Sequence, residues 1–342
     1  MQNFSTNKKF YILSLENNSS TLKFHIFSDT GKYEIKKVDL STFNFFGKKE
    51  QEENFYEILT GSTFEAFLDL TTITQSTIPT LISGKRKLYI NEKSITFSFD
   101  INPNLTQLFN VNLDDFSCTE EQLIQPDFGD SEFQISKSNS YLINNKLFQI
   151  KSTSDRLVLN IIDSDRTISR KFESIPENVF AFNNSEMIQE QMGTNKLTVF
   201  DKTKQFIRKT NNYNPTISVF TKGESYLVTI GSRMYIDTGA SSVGPMYGAV
   251  GALLSAAMSK KSNFYNPNPY KNFLVFYTHC LFDKNLNHIE DKVQKTAFDV
   301  ARKYADNLIN QTNTTFFKFN SKIYVGSFDS QLKKYIFKGF TD

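Results

Sequence analysis

Apolar and polar residues alternate with period two along most of the chain, and the alternating runs come in a recurring order. A short aromatic run is followed by a polar gap and then by two alternating runs joined by a tight turn. The first such group is Phe10 to Leu15, Thr21 to Phe27, a turn at Asp29-Thr30-Gly31, and Tyr33 to Leu40. The second is Leu88 to Ile90, Ser94 to Phe99, a turn at Asp100 to Asn104, and Leu108 to Val111. The third is Leu147 to Ile150, Arg156 to Ile161, a turn at Asp163-Ser164-Asp165, and Thr167 to Phe172. Weaker copies pass through Leu197 to Phe200 and Tyr226 to Ile230. Another starts at Phe273 to Tyr277 with its turn at Asp283-Lys284-Asn285, and a last pair is Ile323 to Gly326 and Tyr335 to Phe337. Period-two alternation bounded by Asp, Asn and Gly is the pattern of strands joined as hairpins.

Repetition of one hairpin unit at irregular spacing predicts an all-β chain, a β-propeller-like repeat of about five to seven small antiparallel sheets. It is expected to form one domain over residues 1–342, with a two-sheet sandwich as the competing arrangement. Two segments depart from the pattern. From Glu290 to Asn310, Val293, Ala297, Val300, Ala301, Tyr304 and Leu308 fall on one face, which predicts an amphipathic helix packed outside the sheets. The second is a Gly/Ala/Ser-rich insertion over 232–270, between the strands at Tyr226 and Phe273.

Within that insertion, Thr238 to Ser259 carries no charge, and Ala240, Gly244, Gly248, Ala252 and Ala256 recur every four residues. A helix there would present one stripe of small side chains. Three readings stay open. The stretch is poor in large apolar residues for a transmembrane span, which needs ~20 of them. It could be buried core. It could also dock a partner, through Gly244, Met246, Tyr247, Gly248, Val250, Gly251, Leu254 and Met258, and docking is the reading preferred here. Any membrane contact is expected through residues 238–259 alone.

Composition narrows the classes. The chain has 342 residues, 39 basic and 36 acidic side chains mixed along it, and a formal net charge of +3. The densest basic cluster is Lys85-Arg86-Lys87, just before a strand, so a nucleic-acid partner is not expected. The 34 Phe and 15 Tyr, with no Trp, suit pleated, half-buried surfaces. Cys118 and Cys280 are expected as free thiols. Neither they nor His25, His279 and His288 show metal-ligand spacing, so no metal or cofactor is expected. The Asp163-Ser164-Asp165 run is read as a solvated turn. The N-terminus has no apolar signal-peptide core. A chain starting at Met1 would be cytoplasmic, whereas a processed chain would belong to the envelope or periplasm.

One motif points to catalysis. Met234-Tyr235-Ile236-Asp237-Thr238-Gly239-Ala240-Ser241 resembles the aspartate loop of aspartic peptidases, in which two Asp-Thr-Gly carboxylates share a proton and activate water. Asp29-Thr30-Gly31 is a second copy. It departs from that family because Lys32 stands where Ser or Thr belongs, and the run after Ser242 cannot form the family's next strand. The catalytic alternative therefore rests on Asp237, with Asp29 as partner. The preferred reading is a non-catalytic binding or scaffold protein.

The succession of strand, small-residue insertion and strand, Tyr226 to Gly231 followed by Phe273 to Tyr277, resembles β-propeller-like proteins of Bacteroidota cell envelopes. That resemblance implies a propeller fold and a protein partner. One role known among such proteins is accessory attachment to envelope machines, including the plug of the type IX secretion translocon.

Overall fold

A computed structural model of the chain describes residues 2–6, 9–48, 52–60, 70–74, 84–128, 136–191, 197–235, 273–308, 314–319 and 322–341. The fold is all-β, a propeller-like repeat of small antiparallel sheets with short helices beside them. The described chain divides into two compact units. The first comprises Met1–Gln75, Gly84–Gly129 and Ser138–Leu142; the second comprises Ser76–Ser83, Asp130–Lys137 and Ile143–Asp342.

In the first unit β1 (Gln2–Thr6), β2 (Lys9–Leu15), β3 (Thr21–Ser28) and β4 (Tyr33–Asp39) form an antiparallel meander in chain order. A two-stranded ribbon follows, β5 (Phe45–Phe46) with β6 (Glu52–Glu53), and then helix α1 (Phe55–Thr60). The second sheet contains β7 (Leu70–Ile73), β8 (Arg86–Ile90), β9 (Ser94–Phe99), β10 (Leu105–Asn112) and β11 (Cys118–Ile124), again in chain order. Its β7–β8 pairing is parallel, an exception to the antiparallel rule that the alternation alone did not indicate. Alternate residues of β2, β3, β9 and β10 point into one core, so Leu13, Phe24, Ile26, Ile95, Phe97, Phe99, Phe109 and Val111 are all buried. Phe55 brings α1 into it, with its ring 5.2 Å from Phe97 and 5.3 Å from Phe45. The abundance of Phe is thus a packing device. The sequence reading missed α1, yet its signal is present. Asn54 N donates to Glu57 Oε2 and Glu57 N to Asn54 Oδ1, each at 2.9 Å, a reciprocal N-terminal cap.

The second unit takes up the chain within β12 (Lys137–Ile143), whose Ser138–Leu142 count with the first. It continues as a meander of β13 (Lys146–Ser152), β14 (Leu157–Ile162) and β15 (Ile168–Ser174), with every residue of β14 buried. The next sheet joins β16 (Met187–Gln191), β17 (Leu197–Phe200), β18 (Asn214–Lys222), β19 (Ser225–Tyr235) and β20 (Phe273–Phe282) in the order β17-β16-β20-β19-β18. Between β17 and β18 lies α2 (Thr203–Asn212). The sequence reading also missed this helix, although Thr203, Phe206, Ile207 and Thr210 are buried at helical spacing. The last sheet is β21 (Thr315–Phe319), β22 (Lys322–Asp329) and β23 (Lys334–Phe340).

The helix expected over 290–310 is shorter. As α3 it spans Ala297–Asp306 and buries Ala297, Phe298 and Ala301 against Phe316, Ile323 and Val325. Its start is fixed by a capping box in which Thr296 Oγ1 accepts from Asp299 N while Thr296 N donates to Asp299 Oδ2. Upstream, Asn184 Nδ2 donates to the carbonyls of Ile289 and Asp291, which holds that stretch extended. Val300, placed on the buried face from the sequence, is 46% exposed.

Candidate functional site

The eight residues singled out for partner binding, Gly244, Met246, Tyr247, Gly248, Val250, Gly251, Leu254 and Met258, lie outside the described residues, as does Asp237. The structure does describe how the chain reaches and leaves that segment. β19 and β20 pair antiparallel without a break from Tyr226↔Phe282 to Tyr235↔Phe273. The strands on either side of the insertion are therefore neighbours in one sheet, as the sequence reading expected, and β19 runs past Ser232, where the insertion was placed. Close approach holds this hairpin: a Cβ built on Gly231 would lie 1.8 Å from the carbonyl oxygen of Phe276. Only glycine lets the two backbones meet there.

Asp29, the second candidate aspartate, sits at the exposed tip of the β3–β4 hairpin, beside a Ser28 Oγ–Thr30 Oγ1 contact of 2.8 Å and ahead of Gly31 at φ +78°. Asp163 of the Asp-Ser-Asp run bonds Lys146 Nζ at 2.5 Å and Asp165 caps Thr167, the arrangement of a braced turn. Among the described residues no three His, Cys, Asp or Glu side chains are grouped to hold a metal ion. Cys118 and Cys280 are free thiols. Burial pushes Cys118 up to about 12. Each histidine has its own local partner: His25 bridges Ser14 Oγ and Tyr33 Oη at 2.9 Å each, His279 meets Thr229 Oγ1 at 2.8 Å, and His288 meets Asn184 Oδ1 at 3.0 Å. A surface cavity of about 420 Å3, lined by Lys9, Ile26, Ser28, Lys32, Tyr33 and Glu34, opens beside the β3–β4 hairpin.

Two clusters of charged groups were not foreseen. In the first unit, Lys87 and Asp100 are fully buried and paired, Nζ to Oδ2, at 2.7 Å. Asp100 Oδ2 also accepts from Ser140 Oγ at 2.8 Å, and its Oδ1 accepts from Thr106 Oγ1 at 2.7 Å and Gln125 Nε2 at 3.3 Å. Lys87 donates in addition to Asn139 Oδ1 at 2.6 Å. A carboxylate hydrogen-bonded on both oxygens with a buried counter-ion is a locking device. It fastens Asn139 and Ser140 to the face of β8 and β9. Beside it, Tyr89 Oη accepts from Leu142 N at 3.0 Å, and burial pushes Tyr141 up to about 12.

In the second unit, Glu190 of β16 accepts from Tyr277 Oη at 3.1 Å and pairs with Arg302 of α3 at 3.2 Å. Burial, followed by the Glu190 charge, drives the Tyr277 hydroxyl well above its ordinary value. Burial holds His279 below its own ordinary value; Asp299 opposes that shift and Arg302 adds to it. This cluster ties α3 to β16 and β20, the latter being the strand by which the chain returns from the insertion.

No protein-family model and no curated protein sequence matches the chain. Among solved structures it is similar to a GH43 endo-arabinanase from Bacillus licheniformis at 7% identity and TM-score 0.33, over 98% of this chain and 91% of that one. It is also similar to a prolyl endopeptidase at 7% identity and TM-score 0.27, over 100% of this chain and 42% of that one. At TM-scores this low neither likeness bears on what this chain does.

Proposed function

We propose that the protein is a non-catalytic binding or scaffold module whose contact element is the uncharged segment 238–259, and that its partner is a protein. The reading is carried by the β19–β20 ladder, in register to Tyr235↔Phe273. The chain leaves the sheet at Tyr235 and re-enters it at Phe273 on adjacent, paired strands. The connection that carries the segment therefore starts and ends on a rigid base, which lowers the ordering cost of binding. Its freedom from charge and its small side chains suit close backbone approach to a partner. No helix among the described residues is long and apolar enough to cross a membrane. The envelope setting, with attachment to a secretion machine, is part of this proposal through the pattern likeness of the strands around the insertion.

Deletion of Ser241–Lys261 with a short Gly/Ser bridge tests the reading. The expected outcome is an almost unchanged thermal midpoint together with loss of the co-purifying partner. A large loss of stability would make the segment core and end the proposal. Pepstatin-sensitive cleavage of unfolded protein at acid pH, abolished by Asp237→Asn, would replace it with the aspartic-peptidase reading.

A further inference from the structure

β4 is the outermost strand of its sheet, and Tyr33 through Lys37 are all exposed. Tyr33 is 53% and Ile35 48% exposed. Which backbone groups face the open edge follows from the ladder. Ser28 N bonds Lys32 O at 2.9 Å and Leu40 N bonds Ser20 O at 3.0 Å. The pairs Ile26↔Glu34, Phe24↔Lys36 and Leu22↔Val38 fall at even steps between these, so they are the hydrogen-bonded pairs. The N–H and C=O groups of Tyr33, Ile35 and Lys37 therefore point away from the sheet, a row that no described strand pairs with.

We propose that this edge pairs with β4 of a second copy of the chain, antiparallel and two-fold symmetric about Ile35. Charge selects the copy and the register. With Ile35 opposite its equivalent, Glu34 faces Lys36 of the other strand and Lys36 faces its Glu34, while Tyr33 faces Lys37. Opposite residues in such a pair have Cβ atoms ~5 Å apart, close enough for both ion pairs to form. A slip of one residue in this register opposes outward groups to inward ones and breaks the hydrogen bonding. The neighbouring symmetric registers set Lys36 against Lys36 or Glu34 against Glu34, which like-charge repulsion disfavours.

Lysines on an edge strand ordinarily block pairing; Glu34 turns that block into a selection for self. The register also joins surface apolar groups. On the same side of the sheet Phe10 and Phe27 lie 6.1 Å apart and Phe27 and Tyr33 5.0 Å apart, a stripe that ends at the edge and would continue into its copy. A further edge with exposed aromatics, β23, holds Lys334 and Lys338 but no acidic residue, so it has no such selection.

Sedimentation equilibrium of the full chain tests this. The wild type is expected to show a concentration-dependent dimer. Glu34→Lys should weaken association about tenfold or more, since it opposes lysines at both paired positions. Glu34→Lys/Lys36→Glu should restore it. Ile35→Pro removes only an outward-facing N–H, so the thermal midpoint and circular dichroism should be kept while the dimer is lost. A wild type that stays monomeric at every concentration, or a dimer indifferent to Ile35→Pro, overturns the proposal.

Discussion

The two faces of the β8–β9–β10 sheet hold one structure together by opposite means. On one face Ile95, Phe97, Phe99, Phe109 and Val111 interlock with Phe45 and Phe55, without direction and without charge. On the other, Lys87, Thr96, Asp100 and Thr106 are just as deeply buried, but held by hydrogen bonds and one ion pair. The apolar face tolerates any filling of about the right volume, because dispersion and water exclusion are not directional. The polar face tolerates little, because each buried charge requires its partner. The first face supplies stability; the second specifies which segment, Ser138–Tyr141, lies over the sheet.

Breaking the ion pair gives the largest expected effect. Lys87→Met leaves Asp100 buried without its counter-charge and should cost about 3–5 kcal/mol of unfolding free energy in urea titrations. Lys87→Met/Asp100→Leu should recover about half of that, since both charges then vanish together. A single variant that unfolds like wild type would dissolve the contrast between the faces. The apolar face responds more gently: Ile95→Val, one methylene lost from a fully buried site, should cost about 0.5–1.5 kcal/mol. The smallest effect sharpens the comparison most. Ser98 Oγ is buried on the polar face with no hydrogen-bond partner. Ser98→Ala removes an uncompensated group, so the change should stay within ~0.5 kcal/mol of zero or stabilise. A loss above about 1 kcal/mol would mean that Ser98 belongs to the network.

Much of the architecture was legible because its signals are local. The runs around Thr21–Phe27, Ser94–Phe99 and Arg156–Ile161 became β3, β9 and β14 almost residue for residue, with turns where Asp, Asn and Gly stand. The strands on either side of the insertion were legible too, from their alternation, and they pair in one sheet. Short helices were not. Six residues of α1 span less than two turns, too little for a periodic pattern, although the Asn54–Glu57 cap marks its start. The helix at Glu290 was drawn too long because periodicity does not see a cap, and Thr296 with Asp299 sets the boundary.

The sequence by itself determined many of the strands, among them β2, β3, β9, β13 and β14, the turns between them, and that one uncharged segment interrupts the pattern. Alternation and turn chemistry act over a few residues and are written in the order of the chain. Tertiary structure alone decided that Lys87, read as part of a basic cluster, is buried on Asp100, and that the turn residue Asp100 is interior. Their partners Asn139 and Ser140 lie 52 and 40 positions away along the chain. An alternating strand shows which residues share a face. Whether that face meets water or protein depends on what the rest of the chain lays over it, and no local pattern records that.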